Sequence, residues 1–245
     1  FSWFGNLLRG DFGYSSVHRI PVTELVGPPM KNTICLNVVY YVLLFLITVP
    51  LGIKAAVKQN TAFDTTVQVT TIIGISIPSF ITALIFIFLF AIVLPIFPIS
   101  GMVTTGANYT GFRAFTDYAY HLCLPVLVMV FAGLGGLTRY VRGALLDALS
   151  MDYVRTARAK GLREKTVIYK HAFRNALIPI TGYVVGSIVA IFGGSIIIET
   201  LFSWNGVGKL LIDSLMNQDY TVALAMQMFY ILLALVANLI TDLCY

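Results

Sequence analysis

The chain has 245 residues, 58% of them hydrophobic and 11% charged, with a mean hydropathy of +0.86. It is too apolar for a water-soluble domain and belongs among membrane proteins, as one bundle of apolar helices. The net charge of +5 is uneven: residues 139–174 hold nine of the sixteen basic residues and three of the eleven acids, so that stretch carries +6 and the remainder −1.

Residues 1–31 are mixed in composition and lack the basic start, apolar core and small-residue cleavage site of a signal peptide. Trp3, Phe4 and Tyr14 suit the headgroup level of a bilayer. The first expected span, 32–53, is 22 residues without a charge between Lys31 and Lys54, about the length needed to cross the hydrocarbon core. It ends at Lys54 and Lys58, hence on the cytoplasmic side. No charge then occurs between Asp64 and Arg113, and Pro95 and Pro98 end the apolar run. The second span is placed at 66–94, bent at Gly74 and Pro78 within GISIPSF. Gly-x-Ser-x-Pro does not make a nucleophile elbow, which needs a second glycine where Pro78 stands.

Residues 99–117 read as an external loop rich in Gly, Thr and Asn, with a chance-level glycosylation acceptor at Asn108-Tyr109-Thr110. The third span, 118–137, carries Pro125 and, near its outer end, His121, whose polar tip suits the headgroups. Its helix is expected to run on through Arg139, Arg142 and Asp147, and Asp147 can pair with either arginine at little gain.

Residues 150–174 form the basic loop. Ser150 or Asp152 can cap a helix reaching Lys160, Gly161 suits a left-handed terminating position, and a second helix starts near Arg163. Tyr153 and Ala157 share one face of the first helix, Arg155 and Arg158 another. On charge alone, contact with anionic lipid headgroups explains this loop as well as a protein partner does.

The fourth span, 176–198, contains Gly182, Gly186, Gly193 and Gly194. Gly182 and Gly186 make a GxxxG pair suited to close helix approach, although glycine is frequent in membrane helices anyway. Residues 199–219 form a further external segment, and Asp219 can cap the last span, 220–241, which Asp242 ends. Five spans in this order put Lys54, Lys58 and the basic loop on the cytoplasmic side together.

Cys35, Cys123 and Cys244 are scattered in or beside apolar stretches and read as packing residues, while His18, His121 and His171 fall in three segments. No ionisable residue sits in the middle of a span, which disfavours an ion-coupled secondary transporter. No Walker A, HExxH or triad pattern supports a membrane enzyme working alone.

The basic loop, DYVRTARAKGL followed by KHAFRNALIP, resembles the cytoplasmic loop of binding-protein-dependent ABC importer permeases. The general pattern there is Glu-Ala-Ala, three residues, Gly, nine residues, Ile-x-Leu-Pro. Ala157 and Gly161 match the second Ala and the Gly. Arg155 and Thr156 replace Glu and the first Ala, His171 and Phe173 stand at Ile and Leu, and Arg174 replaces Pro. With the proline displaced to Pro179, the stretch is similar to the oligopeptide, dipeptide and nickel branch, in its B-type subunit. IETLFSWNGVGKLLIDSL resembles the family's external reentrant segment, with Asn205 in place of Pro and Gly206 and Gly208 matching. GDFGYS and TELV near the start resemble the segment that follows the first span, which implies that a sixth, N-terminal span is missing from this chain.

The resemblance implies an all-α polytopic fold, the type I ABC importer transmembrane domain, as a single permease domain over residues 1–245. It implies a permease subunit of an ATP-driven importer, with oligopeptides or dipeptides as cargo and nickel or another small chelate as the alternative. The implied partners are a homologous second permease subunit, two ATPase subunits and an extracellular substrate-binding protein, in the lipid bilayer of a bacterial or archaeal cytoplasmic membrane, with no nucleic acid. No catalytic, cofactor or metal residue is expected in this chain, since the ATPase subunits bind ATP and Mg. The basic loop corresponds to the coupling helix, with Asp152, Tyr153, Arg155, Ala157, Arg158, Lys160 and Gly161 as ATPase-coupling residues. Ser76, Pro78 and Gly193 are the translocation-pathway candidates.

Overall fold

The computed structural model describes residues 11–244, the side chain of Cys244 excepted. Trp3 and Phe4 lie outside the described residues, while Tyr14 is exposed. Among the described residues the regular structure is helical, apart from one isolated bridge between Tyr14 and Pro21. In chain order the helices are α1 (Val22–Val57), α2 (Ala62–Ser76), α3 (Ser79–Ile87, continued by a π-turn at Phe88–Val93), α4 (Phe112–Ser150), α5 (Asp152–Ala159), α6 (Glu164–Ala190), α7 (Ile196–Leu201), α8 (Val207–Met216) and α9 (Tyr220–Cys244). Residues Val167–Ala172 of α6 are wound as a π-helix.

Four of these, α1, α4, α6 and α9, are long and apolar enough to cross a membrane, and α2 with α3 makes a fifth if the broken pair is one span. The 39 residues of α4 measure about 58 Å, far more than the apolar window of 118–137. Likewise α1 starts ten residues before 32–53 and runs on through Gly27, Pro28 and Pro29. The break between α2 and α3 falls at Ile77 and Pro78. Gly74 stays inside α2 and is buried, so the proline rather than the glycine interrupts the helix.

The chain forms two compact units: residues 1–40, 79–129 and 188–238 make one, residues 41–78, 130–187 and 239–245 the other. In the first unit Val22, Val207, Val222 and Met226 centre one apolar cluster. Ala83, Leu124, Val128, Ile198 and Phe202 centre another, with Phe86 and Phe90 packed against it.

The expected fourth span, 176–198, does not continue as a helix: α6 stops at Ala190 and α7 begins at Ile196. A helix end inside an apolar body exposes carbonyls that need donors. The buried Asn37 of α1 supplies them, its Nδ2 reaching the carbonyls of Ile191 (2.9 Å) and Gly193 (2.8 Å). A side chain at Gly186 would meet no atom of this chain within 4 Å, so that glycine serves no close helix contact within the chain.

The segment after the break is stitched to the same face of α1. Glu199 is fully buried, and its Oε1 accepts the Thr33 hydroxyl (2.8 Å) and the Ser195 N–H (3.3 Å) while its Oε2 accepts the Lys209 N–H (3.0 Å). Thr33 Oγ1 in turn accepts the Val207 N–H (2.9 Å), Asn32 donates to the Asn205 carbonyl (2.7 Å), and Trp204 Nε1 donates to the Asn32 carbonyl (3.1 Å). A Cβ at Gly206 would come within 2.5 Å of the Glu199 carboxylate and of Thr33 Oγ1, so only glycine fits that turn. Burial pushes the Glu199 carboxyl above the usual range, with the Lys209 N–H and Thr33 hydroxyl opposing.

Asp219 was expected to cap α9, but its buried carboxylate turns instead to the chain's early residues. It accepts the Ser15 and Ser16 hydroxyls and the Ser16 and Val17 N–H groups. Burial alone raises its pKa, but these donors outweigh burial and leave it lowered. His121 is also displaced from its expected place among headgroups: it is buried, with Nδ1 2.9 Å from the Asp117 carbonyl one turn earlier.

Removing the Glu199 carboxylate strands several buried donors at once. Glu199→Ala is expected to cost about 2–4 kcal/mol, read as a lowered midpoint in thermal unfolding of the detergent-solubilised protein. For Asp219 the folded-state pKa is depressed, so its contribution is present at neutral pH and lost as pH falls through the carboxylate range, below about pH 4. Amide exchange at Ser16 and Val17 should accelerate on that acidification, and Asp219→Asn should already show the fast exchange at neutral pH.

Candidate functional site

The basic loop folds as the short helix α5, a glycine turn and the start of α6. Met151, not Ser150 or Asp152, is the N-cap of α5 and makes no side-chain capping bond. Ser150 is diverted, its hydroxyl donating to the Asp147 carbonyl (2.7 Å). Asp152 stands in the first turn at 95% side-chain exposure, where its charge suits the positive end of the helix dipole.

The helix ends as a Schellman motif: the Gly161 N–H bonds the Arg158 carbonyl (2.9 Å), and the Leu162 N–H bonds the Ala157 carbonyl (3.4 Å). Gly161 has φ +72°, and a Cβ there would touch nothing within 4 Å. The glycine is therefore required by backbone conformation and not by crowding.

Two faces of α5 are distinct. Val154 and Ala157 are buried, and the helix packs against the π-wound turn Val167–Ala172. Ala157, expected beside Tyr153 on a docking face, thus belongs to the inner face. Tyr153 is 39% exposed. The outer face carries Arg155, 3.4 Å from Asp152, and Arg158, whose guanidinium grips Glu164 with Nη2–Oε1 at 2.8 Å and Nε–Oε2 at 3.3 Å. That last pair spans the glycine turn and ties α5 to α6. Lys160 closes α5 as its C-cap. Beside the helix, Met151, Tyr153, Asn175 and Pro179 line a cleft of about 280 Å³.

Of the nine basic residues in 139–174, three make ion pairs among the described residues: Arg142, Arg155 and Arg158. Arg142 does not choose Asp147. Its partner is Asp64, at the start of α2, through Nε–Oδ1 (2.6 Å) and Nη2–Oδ2 (2.7 Å). A separation of 78 residues leaves no local trace of this pair in the sequence. The Arg158–Glu164 pair is closer in the chain but crosses a turn, where helical spacing does not apply. Val154 was legible in principle, since it lies three residues before Ala157 on one face.

The pathway candidates lie at helix breaks, not in the basic loop. Ser76 ends α2, its hydroxyl donating to the Ile72 carbonyl (2.8 Å), and Pro78 lies in the break that follows. Gly193 belongs to the other compact unit, in the Asn37-capped break after α6. Among the described residues no group of three or more His, Cys, Asp or Glu side chains is placed to hold a metal ion.

The fold recurs in a known protein. A solved chain of the MetNI methionine ABC transporter superposes with a TM-score of 0.66, covering 91% of this chain and 97% of that one at 16% identity, which shows the fold of a type I ABC importer transmembrane domain. The oligopeptide transport system permease protein AppB of Bacillus subtilis is 40% identical over 244 residues, 99% of this chain and 76% of that protein. The dipeptide transport system permease protein DppB of Escherichia coli is 33% identical over 256 residues, 98% of this chain and 76% of that protein. Residues 48–245 match the family described as binding-protein-dependent transport system inner membrane component. On the extent of that match and on these identities, the chain belongs to this family and is a multi-pass permease subunit of an ABC importer.

Proposed function

We propose that the permease imports oligopeptides or dipeptides across a bacterial cytoplasmic membrane, and that α5 with its Gly161 turn receives the force of ATP hydrolysis from an ATPase subunit. The observation that carries the cargo assignment is the identity, 33–40% over nearly the whole chain, to permeases named for oligopeptide and dipeptide transport. In this reading the chain forms half of the pathway beside a homologous permease, and an external binding protein delivers the peptide. ATP and Mg are held by the ATPase subunits.

The local geometry supports α5 as the receiving element. It is an eight-residue helix with exposed Asp152, Arg155 and Arg158 on one side and Val154 and Ala157 seated against α6 on the other. A push on the outer side is transmitted through packed side chains and through the Arg158–Glu164 pair. Asp152, Tyr153, Arg155 and Arg158 are the contacts offered outward, Lys160 and Gly161 set the exit angle, and Ala157 seats the helix from within. Ser76, Pro78 and Gly193 are offered as lining of the pathway, at or beside breaks where backbone meets the interior.

The complex reconstituted with its ATPase subunits and binding protein should take up labelled peptides in an ATP-dependent manner. Uptake of nickel and not of peptides under the same conditions would overturn the cargo assignment. Gly161→Val forces a β-branched residue into the left-handed region and is expected to lower uptake at least tenfold at equal complex assembly. Gly161→Asn, which tolerates that region, should retain most of it. Equal uptake by the valine variant and wild type would remove α5 from the coupling role.

A further inference from the structure

We propose that Asp64 and Arg142 are positioning residues that clamp the α1–α2 turn to the helix feeding the coupling segment, so that both move as one body during transport. The proposal rests on the reading of α5 as the element that receives force.

The clamp begins with the turn itself. Lys58, Gln59 and Asn60 reverse the chain after α1, with Asn60 at φ +62°, and Thr61 caps α2 by accepting the Asp64 N–H (3.4 Å). Asp64 reaches back in turn, Oδ2 accepting the N–H of Asn60, one residue before the cap (3.0 Å). The turn is further braced by Lys54, whose Nζ lies 4.7 Å from the centre of the Phe63 ring. A carboxylate in this position has done its local work with one backbone donor.

Both oxygens nevertheless meet a guanidinium as well. Arg142 approaches with two parallel N–H groups at 2.6 and 2.7 Å, Asp64 is 1% exposed and Arg142 16%. Stability alone does not call for this arrangement, since a buried ion pair is typically no better than apolar side chains of the same volume. What a bidentate pair supplies is a defined geometry: two bonds in a plane fix distance and angle together, where a point charge or an oily contact permits sliding.

The position of Arg142 gives that rigidity a use. It lies on α4 eight residues before Ser150, about 12 Å along the helix axis, and α5 follows Ser150 after one residue. Displacement of α5 reaches Arg142 through continuous helix, and the pair passes it to the start of α2. Gly52 of α1 packs on the same stretch of α4, where an added Cβ would lie 2.8 Å from Val141 Cβ and 2.9 Å from the Thr138 carbonyl. The end of α1, the turn and the C-terminal part of α4 therefore form a single contact surface.

The test uses the full complex in proteoliposomes. Arg142→Lys keeps the charge but not the fork. At equal assembly it is expected to lower peptides imported per ATP hydrolysed by at least about fivefold, with ATPase activity changed less than about twofold. An unchanged ratio overturns the clamp. Should the variant fail to assemble, spin labels at Gln59→Cys and Asp147→Cys, in a chain that keeps Asp64 and Arg142 and has Cys35, Cys123 and Cys244 replaced by alanine, report the same property. Their separation should stay constant to within about 2 Å between nucleotide-free and ATP-trapped states, and a larger change overturns the proposal. Gly161→Val measured alongside separates the two readings: if it leaves import per ATP untouched, α5 loses its role whatever the labels report on the pair.

Discussion

Backbone polarity in an apolar body is the constraint on which this structure depends. A chain that is 58% hydrophobic crosses a bilayer only in a form whose peptide groups find partners within the protein, and here that form is the helix. At several helix breaks a polar side chain is spent on the exposed backbone groups. Asn37 does this for the end of α6, Glu199 and Thr33 for the α7–α8 segment, and Asp64 for the start of α2. These few residues permit irregular backbone inside the fold, and irregular backbone is what distinguishes a transporter from a bundle of rods.

The same economy applies to charge in the basic loop. Arg155 and Arg158 spend their charge on neighbours within α5 or across the turn, and Arg142 spends its charge on α2. Exposed pairs such as Arg155–Asp152 contribute little to stability. They orient side chains so that α5 presents an ordered surface rather than a loose fringe of lysines and arginines. The other six basic residues of the region, Arg139 and Lys160, Arg163, Lys165, Lys170 and Arg174, remain outside such pairs among the described residues.

Much of this was legible from composition and punctuation. Long uncharged runs bounded by Lys31, Lys54, Asp64 and Arg113 mark the apolar helices, and Gly161 three residues after Arg158 marks the end of α5. What could not be read was any contact whose partners lie far apart in the chain. Asp219 has the sequence context of a helix cap, yet four donors from Ser15, Ser16 and Val17 outbid its own helix. His121 resembles an interfacial residue until its neighbour Asp117 is seen to engage it one turn away. The fourth span looked continuous to Ile198 because hydropathy does not register a break made of isoleucine, phenylalanine, two glycines and one serine. The α5 faces were half legible: the periodicity paired Ala157 with Tyr153, and tertiary packing chose Val154 instead.

The π-wound turn at Val167–Ala172 has a consequence for how such chains vary over evolutionary time. A π-turn holds one residue more than an α-turn without shifting the register of the helix on either side. Loss of one residue there can be absorbed by rewinding to α, leaving the faces of α5 and of the rest of α6 aligned as before. The stretch between the glycine turn and Pro179 is thus a place where related chains can differ in length by a residue while keeping the same contacts, and counting residues along it is a poor guide to which positions correspond.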